Sequence, residues 1–179
     1  MSGLFKPLLI NKLSIKNRFV RSATVDNLGE NQVVTEAQLN FYRELARGEV
    51  GLIISSGLFP SLDGWAAPGQ LGIHTDEMIP SLKKITDTVH ANDGKIVAQL
   101  MHAGCFGNPG LCGLQTVGPS ATVNPANNLR VRELSSDEVE EKIDEFVKAG
   151  ARAAEGGFDG VQIHAAHGWL VSAFLSPVT

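Results

Sequence analysis

The residues best placed to do chemistry are His164 and His167, three apart in the stretch Phe158-Asp159-Gly160-Val161-Gln162-Ile163-His164-Ala165-Ala166-His167-Gly168-Trp169. The β-branched Val161 and Ile163 read as a buried strand that delivers both imidazoles at its C-terminal end. In a parallel α/β protein that end is where ligands bind. Two neutral imidazoles there can donate hydrogen bonds to a carbonyl or phenolate oxygen, or they can hold a metal. A zinc site needs a third ligand, and His102 and Cys105 lie on another loop without ligand spacing of their own. The plainer alternative is one structural histidine and one exposed one. A hydrogen-bonding pair that faces a ligand is the stronger reading.

Gln99 is the second candidate, an amide between Ala98 and Leu100 in an apolar strand. Left unpaired when buried, such a group costs roughly 1–3 kcal/mol. It either bridges backbone groups in the core or makes a bidentate contact with a planar heterocycle, whose edge offers matching C=O and N–H groups. Gly57, after Ser55-Ser56, is either a plain turn or a place where a flat ligand approaches the backbone. Ser22-Ala23-Thr24-Val25 ends another strand with small side chains and free backbone groups. No glycine-rich dinucleotide fingerprint, Walker motif or nucleophile elbow is present, and Gly104-x-x-Gly107 sits in a long loop instead of opening a helix.

These residues must be positioned by an alternation of helices and strands. Thr35-x-x-Gln38 opens a helix through Phe41, Tyr42 and Leu45 that ends at Gly48, and Val50–Ile54 follows as a strand buried on both faces. Thr75 or Asp76 starts a second helix carrying Leu82, Ile85 and Val89, which Gly94 ends before the strand Lys95–Leu100. Ser135-Ser136-Asp137-Glu138 is a capping box that opens a third helix, with Val139, Ile143, Phe146 and Val147 on one face. Gly156-Gly157 stops it before the strand at Val161, and Arg18–Ser22 forms the first strand. Leu8–Ile10 and Leu13–Ile15, joined at Asn11-Lys12, read as an N-terminal hairpin outside the alternation. The Gly/Pro/Asn-rich stretch from Gly104 to Asn128 is the one substantial loop.

Four strands and three crossovers give a parallel α/β sheet, either half of an eight-stranded barrel or a small open doubly wound sheet. A closed barrel takes roughly 200 residues or more, so 179 residues are too few for one chain to close. The composition is that of a soluble globular protein: 43% hydrophobic residues and a net charge of -4, with no basic cluster to suggest nucleic acid. There is no signal-peptide pattern at the N-terminus and no apolar run near the roughly 20 residues that span a bilayer, so the default setting is cytoplasmic. Cys105 and Cys112 make no disulfide framework.

Together, Lys16-Asn17-Arg18-Phe19-Val20, Val50-Gly51-Leu52-Ile53-Ile54, Gln99-Leu100-Met101-His102-Ala103-Gly104 and Ile163-His164-Ala165-Ala166-His167-Gly168, running on to Phe174-Leu175-Ser176-Pro177, resemble the N-terminal half of the Old Yellow Enzyme family of FMN-dependent NADH:flavin oxidoreductases. The resemblance covers nearly the whole chain. It implies a single domain, residues 1–179, that forms the first four β/α units of a TIM-type (β/α)8 barrel, with FMN across the C-terminal mouth and NADH or NADPH as reductant. Ser22, Ala23, Thr24 and Val25 would lie against the flavin with Gly57 beside it, and Gln99 would bond its pyrimidine edge. His164 and His167 would hold the oxygen of an α,β-unsaturated carbonyl substrate and polarise its alkene for hydride transfer. Three positions depart from the pattern. Trp169 stands where the family usually has a proton-donating tyrosine, and the aliphatic Val25 stands where relatives often carry a Thr, Cys or His at flavin O4. The chain also stops at Thr179, where the family continues into its second half, so a homo-oligomer or a partner chain that completes the barrel is expected. A non-catalytic half-barrel acting by association is the alternative function.

Overall fold

The computed structural model describes residues 3–179. After a short 3-10 turn come β1 (Leu8–Ile10) and β2 (Leu13–Ile15), the expected antiparallel hairpin, with Asn11 in the left-handed region at φ +52°. β3 (Val20–Arg21) leads to α1 (Glu36–Arg47), β4 (Leu52–Leu58), α2 (Ile79–His90) and β5 (Ile96–Leu100). An excursion then holds α3 (Pro109–Cys112), β6 (Val117–Gly118), β7 (Thr122–Val123) and β8 (Arg130–Glu133). The chain ends with α4 (Ser136–Glu155), β9 (Gly160–Ile163) and α5 (Leu170–Ala173).

The helix starts follow from side chains. Thr35 accepts the amide of Gln38 as the α1 N-cap, although the Gln38 amide turns away from the cap to donate to Asp26 at 3.1 Å. At α4 the full reciprocal box forms between Ser135 and Glu138. α2 begins later than the Thr75 expectation, because Asp76–Met78 winds first into a 3-10 turn.

β3, β4, β5 and β9 form one parallel sheet in that order, so each helix crosses over one face between neighbouring strands. Ile53, Leu58, Ile96, Ala98 and Leu100 point to the helix side and pack on Tyr42, Ala46, Leu82, Ile85, Val89, Ala149 and Ala153. The opposite face of the sheet, carrying Val97, Gln99 and Gln162, is the one that opens toward the candidate site.

Three expectations are corrected. The strand that delivers the histidines is not buried: β9 is an edge strand, and Val161 and Ile163 are 48% and 47% exposed. The apolar face of α4 is narrower than the periodicity implies. Val139 and Phe146 pack inward with Ala149 and Ala153, whereas Ile143 and Val147 are exposed. The stretch from Gly104 to Asn128 is no bare loop: β6 and β7 pair with β8 in a three-stranded sheet, and an apolar cluster of Val117, Leu134 and Leu170 sits beneath it.

Candidate active site

β4 is longer than Val50–Ile54 predicts, because it continues through a bulge. Its register with β5 runs Ile54 opposite Val97 and then Gly57 opposite Gln99, so β4 carries an extra residue. Side chains satisfy the backbone groups the bulge frees. The Gln99 amide N–H donates to Ser55 Oγ at 3.0 Å, and the Ser56 N–H donates to the Tyr42 hydroxyl at 3.0 Å. Tyr42 in turn donates to Asp26 at 3.2 Å, and Asp26 also takes the Gln38 amide and the Leu28 N–H. Burial, followed by the Asp26 carboxylate, pushes the Tyr42 hydroxyl above its ordinary value, so it stays a donor. This network fixes the segment after β3 against the bulge of β4.

The turn after β9 is fixed as firmly. His164 takes its place in the ladder by donating its N–H to Leu100 O at 2.9 Å. Leu170, 2% exposed, donates to His102 O at 3.0 Å. The Ser172 hydroxyl lies 3.0 Å from Ala166 O and 2.9 Å from Trp169 O, within reach of donating to either. Between these anchors His167 sits at φ +59° and Gly168 at φ +77°. A left-handed histidine is an uncommon conformation that surrounding structure must hold in place.

His164 and His167 therefore face each other edge-on, ring centroids 5.3 Å apart, with the Trp169 ring 6.1 Å from His164. The His164 Nδ1 accepts the Ala166 N–H at 3.3 Å, which leaves the proton of the neutral ring on Nε2 as a free donor. Burial, and then the neighbouring His167, lower the His164 pKa below its ordinary value of 6.5, so the ring is neutral near pH 7.

Ser22, Ala23, Gln99, His164 and His167 line one cleft of about 350 Å³, together with Ile54, Gln162 and Ile163. Val25 and Gly57 lie instead in an adjoining hollow of about 250 Å³, lined by Ser56, Met101, Phe106 and Trp169 among others. Thr24, exposed, folds its hydroxyl back onto Ser22 O at 3.3 Å and lines neither. A Cβ at Gly57 would lie 3.0 Å from the Met101 side chain. Gly57 is small because Met101 packs against it.

Gln99 is half-buried, not enclosed, and its Nε2 donates to Gln162 Oε1 at 2.7 Å. Gln162 escapes a reading of the strand alone. The signal is its register, directly opposite Gln99 on the neighbouring parallel strand. His102, set aside as a metal ligand for want of spacing, has both ring nitrogens engaged: Nε2 faces Asp63 at 3.1 Å and Nδ1 accepts the Gly104 N–H at 3.0 Å. Among the described residues no three His, Cys, Asp or Glu side chains gather as metal ligands do.

A metal reductase of Desulforamulus reducens is 38% identical over 179 residues, all of this chain and 27% of its own length. An NADPH dehydrogenase of Listeria welshimeri is 34% identical over 181 residues, all of this chain and 53% of its own. The structure of an old yellow enzyme homologue from Zymomonas mobilis superposes with a TM-score of 0.90 at 33% identity, over 98% of this chain and 52% of the other. The chain thus spans about half, or less, of the length of the relatives it matches, and its fold is the first four β/α units of their TIM-type barrel. The pattern that describes the NADH:flavin oxidoreductase / NADH oxidase family matches residues 3–179, and with the parallel sheet and its histidine-bearing rim this shows that the chain belongs to that family.

Proposed function

We propose that residues 1–179 supply the N-terminal half of an FMN-binding barrel that takes hydride from NADH or NADPH and passes it to an α,β-unsaturated carbonyl acceptor. One observation carries this reading: Gln99, His164, His167, Ser22 and Ala23 come from three different strand ends and meet in one cleft. The residues present fit a flavin. Gln99 Oε1 and Gln162 Nε2 have no hydrogen-bond partner among the described residues, which leaves an acceptor and a donor side by side for a heterocyclic edge. Ser22 and Ala23 keep the opposite wall low enough for a flat ring.

When bound, FMN supplies the hydride. The protein's part is to hold and polarise the acceptor. His164 Nε2–H and the imidazole of His167 donate to the carbonyl oxygen, where negative charge builds as the alkene is reduced, and fixed donors stabilise that charge without reorganising. Trp169 lines the neighbouring hollow with Met101 and Phe106, an apolar seat for the rest of the acceptor. Its indole N–H is no practical acid near neutral pH, so Trp169 does not supply the proton that completes the reduction. The two cysteines are unpaired, which suits a cytoplasmic setting.

Titration of the purified chain with FMN, followed by anaerobic NADH or NADPH, tests the reading. Flavin absorbance that bleaches with reductant and returns with an enone supports it; a protein that FMN cannot titrate counts against flavin chemistry by this chain alone.

A second reading, association, is favoured by the exposed apolar residues Val161 and Ile163 on β9 and Val20 on β3, the two open edges of the sheet. A second copy or a partner chain that adds strands there would cover them, and the mass in solution tests this: a stable monomer at micromolar concentration counts against it.

A further inference from the structure

We propose that Gln162 is a second cofactor-positioning residue, which locks the Gln99 amide and adds its own amide donor beside the Gln99 carbonyl toward the pyrimidine edge of FMN. The inference rests on the flavin reading of this same cleft. Gln99 and Gln162 are direct register partners on β5 and β9, so both side chains leave the sheet on the same face. The 2.7 Å bond from Gln99 Nε2 to Gln162 Oε1 uses one amide hydrogen of the first and the carbonyl of the second.

A lone glutamine amide can turn by 180° and exchange its donor and acceptor at almost no steric cost. Gln162 Oε1 can only accept, so it selects the orientation in which Gln99 Oε1 is free. What the pair then presents is one carbonyl oxygen from Gln99 beside the amide hydrogens of Gln162. The pyrimidine edge of an isoalloxazine alternates carbonyl and N–H groups, and it needs both an acceptor and a donor at adjacent positions.

The same strand places Gln162 two residues before His164, on the same side of β9 by the alternation of a strand. One rigid element thereby sets the distance between the group that holds the cofactor and the group that holds the substrate oxygen. Gln162 lines the same cleft as Gln99, His164 and His167, which places its amide where a ligand held by Gln99 would lie.

The test uses the whole chain and its Gln162→Ala and Gln162→Glu variants. Three quantities are measured: the FMN dissociation constant by quenching of flavin fluorescence, the flavin reduction potential, and the melting temperature without FMN. Gln162→Ala is expected to raise the dissociation constant roughly tenfold and to leave the melting temperature of the apoprotein unchanged. Gln162→Glu keeps the acceptor for Gln99 but removes the donor and adds negative charge. It is expected to weaken binding of the reduced, more anionic flavin about tenfold more than that of the oxidised form, a fall of about 30 mV in the two-electron potential. In the parent protein, the side-chain amide resonances of Gln162 should shift on addition of FMN.

FMN affinity within twofold of the parent in both variants, with unshifted Gln162 resonances, overturns the proposal. So does a loss of apoprotein stability with unchanged FMN binding. If the parent itself does not bind FMN, flavin chemistry by this chain alone falls and this inference with it; if the parent binds FMN and both variants bind it equally well, this inference falls alone.

Discussion

The Asp63 carboxylate takes two side-chain partners while nearly buried, and its removal should be costly. It lies on the turn after β4, with its side chain 13% exposed, and it receives the His102 ring at 3.1 Å and the Lys142 ammonium at 2.8 Å. Lys142, from α4, is itself only 15% exposed and reaches Glu145 at 3.0 Å. Burial opposes ionisation of Asp63, but the hydrogen bond from His102, then the hydrogen bond and charge of Lys142, outweigh it and hold the carboxyl well below the usual carboxylate range. Asp63→Ala leaves the Lys142 cation without its main partner and the His102 N–H without an acceptor. Breaking a buried pair from one side costs about 3–5 kcal/mol. For a chain of this size that lowers the melting temperature on the order of 10 °C.

Urea titration at pH 7 measures the loss directly. The sign of the pH dependence is a second check. A carboxyl depressed in the folded state stabilises fully above its unfolded value, near 3.8, and loses that contribution as pH falls below it toward the folded value. The parent should therefore lose stability more steeply than Asp63→Asn between about pH 4 and pH 2. A cost for Asp63→Ala below about 1 kcal/mol, or identical acid limbs for parent and Asp63→Asn, refutes the reasoning.

Four further outcomes follow from the site and its supports. His164 should titrate below 6.5 in nitrogen-detected NMR of the imidazole, with the neutral ring protonated on Nε2, because burial and His167 disfavour its charge and Ala166 N–H occupies Nδ1. Removing either donor, by His164→Ala or His167→Ala, should slow enone reduction by roughly 10²-fold in single-turnover kinetics while FMN affinity holds. Tyr42→Phe removes the hydroxyl shared by Ser56 N–H and Asp26 in a site 1% exposed, and should cost about 1–3 kcal/mol in urea denaturation. Gly51→Ala places a Cβ 2.4 Å from Asn17 O, a backbone atom that cannot step aside cheaply, so soluble yield and melting temperature should both fall.

Much of the fold was legible because its signals are local. Caps at Thr35 and Ser135, apolar runs of strand length and the Asn11-Lys12 turn each lie within a few residues, and the parallel order of the four strands follows from the crossovers between them. What stayed hidden depends on partners far along the chain. β6 and β7 are two residues each and exist only because Arg130–Glu133 pairs with them, so no window around Gly118 or Thr122 could announce a sheet. The bulge that lengthens β4 is held by Ser55 and Ser56 through Gln99 and Tyr42. Read alone, the two serines look like the end of a strand. Asp63 and Lys142 are 79 residues apart and become a pair only when α4 packs beside the turn after β4.

The candidate site shows the same division. The residue types that do chemistry, two imidazoles and an amide, could be picked from the sequence because each is chemically out of place in an apolar strand or at its end. Their mutual geometry could not, since it is set by register. Gln162 is invisible until β9 is laid beside β5, and Val25 and Gly57 part from Ser22 and Ala23 because the chain turns away at Thr24 toward the Asp26 network. The site is thus split by its own scaffold into a polar floor around Gln99 and an apolar seat around Met101 and Trp169. A planar cofactor on the floor would leave its reactive face toward the seat, and the histidine pair stands at the boundary between the two. An acceptor whose carbonyl reaches the imidazoles while its hydrocarbon part rests on Trp169 satisfies both halves. A small, fully polar acceptor satisfies only one, and should react more slowly for that reason.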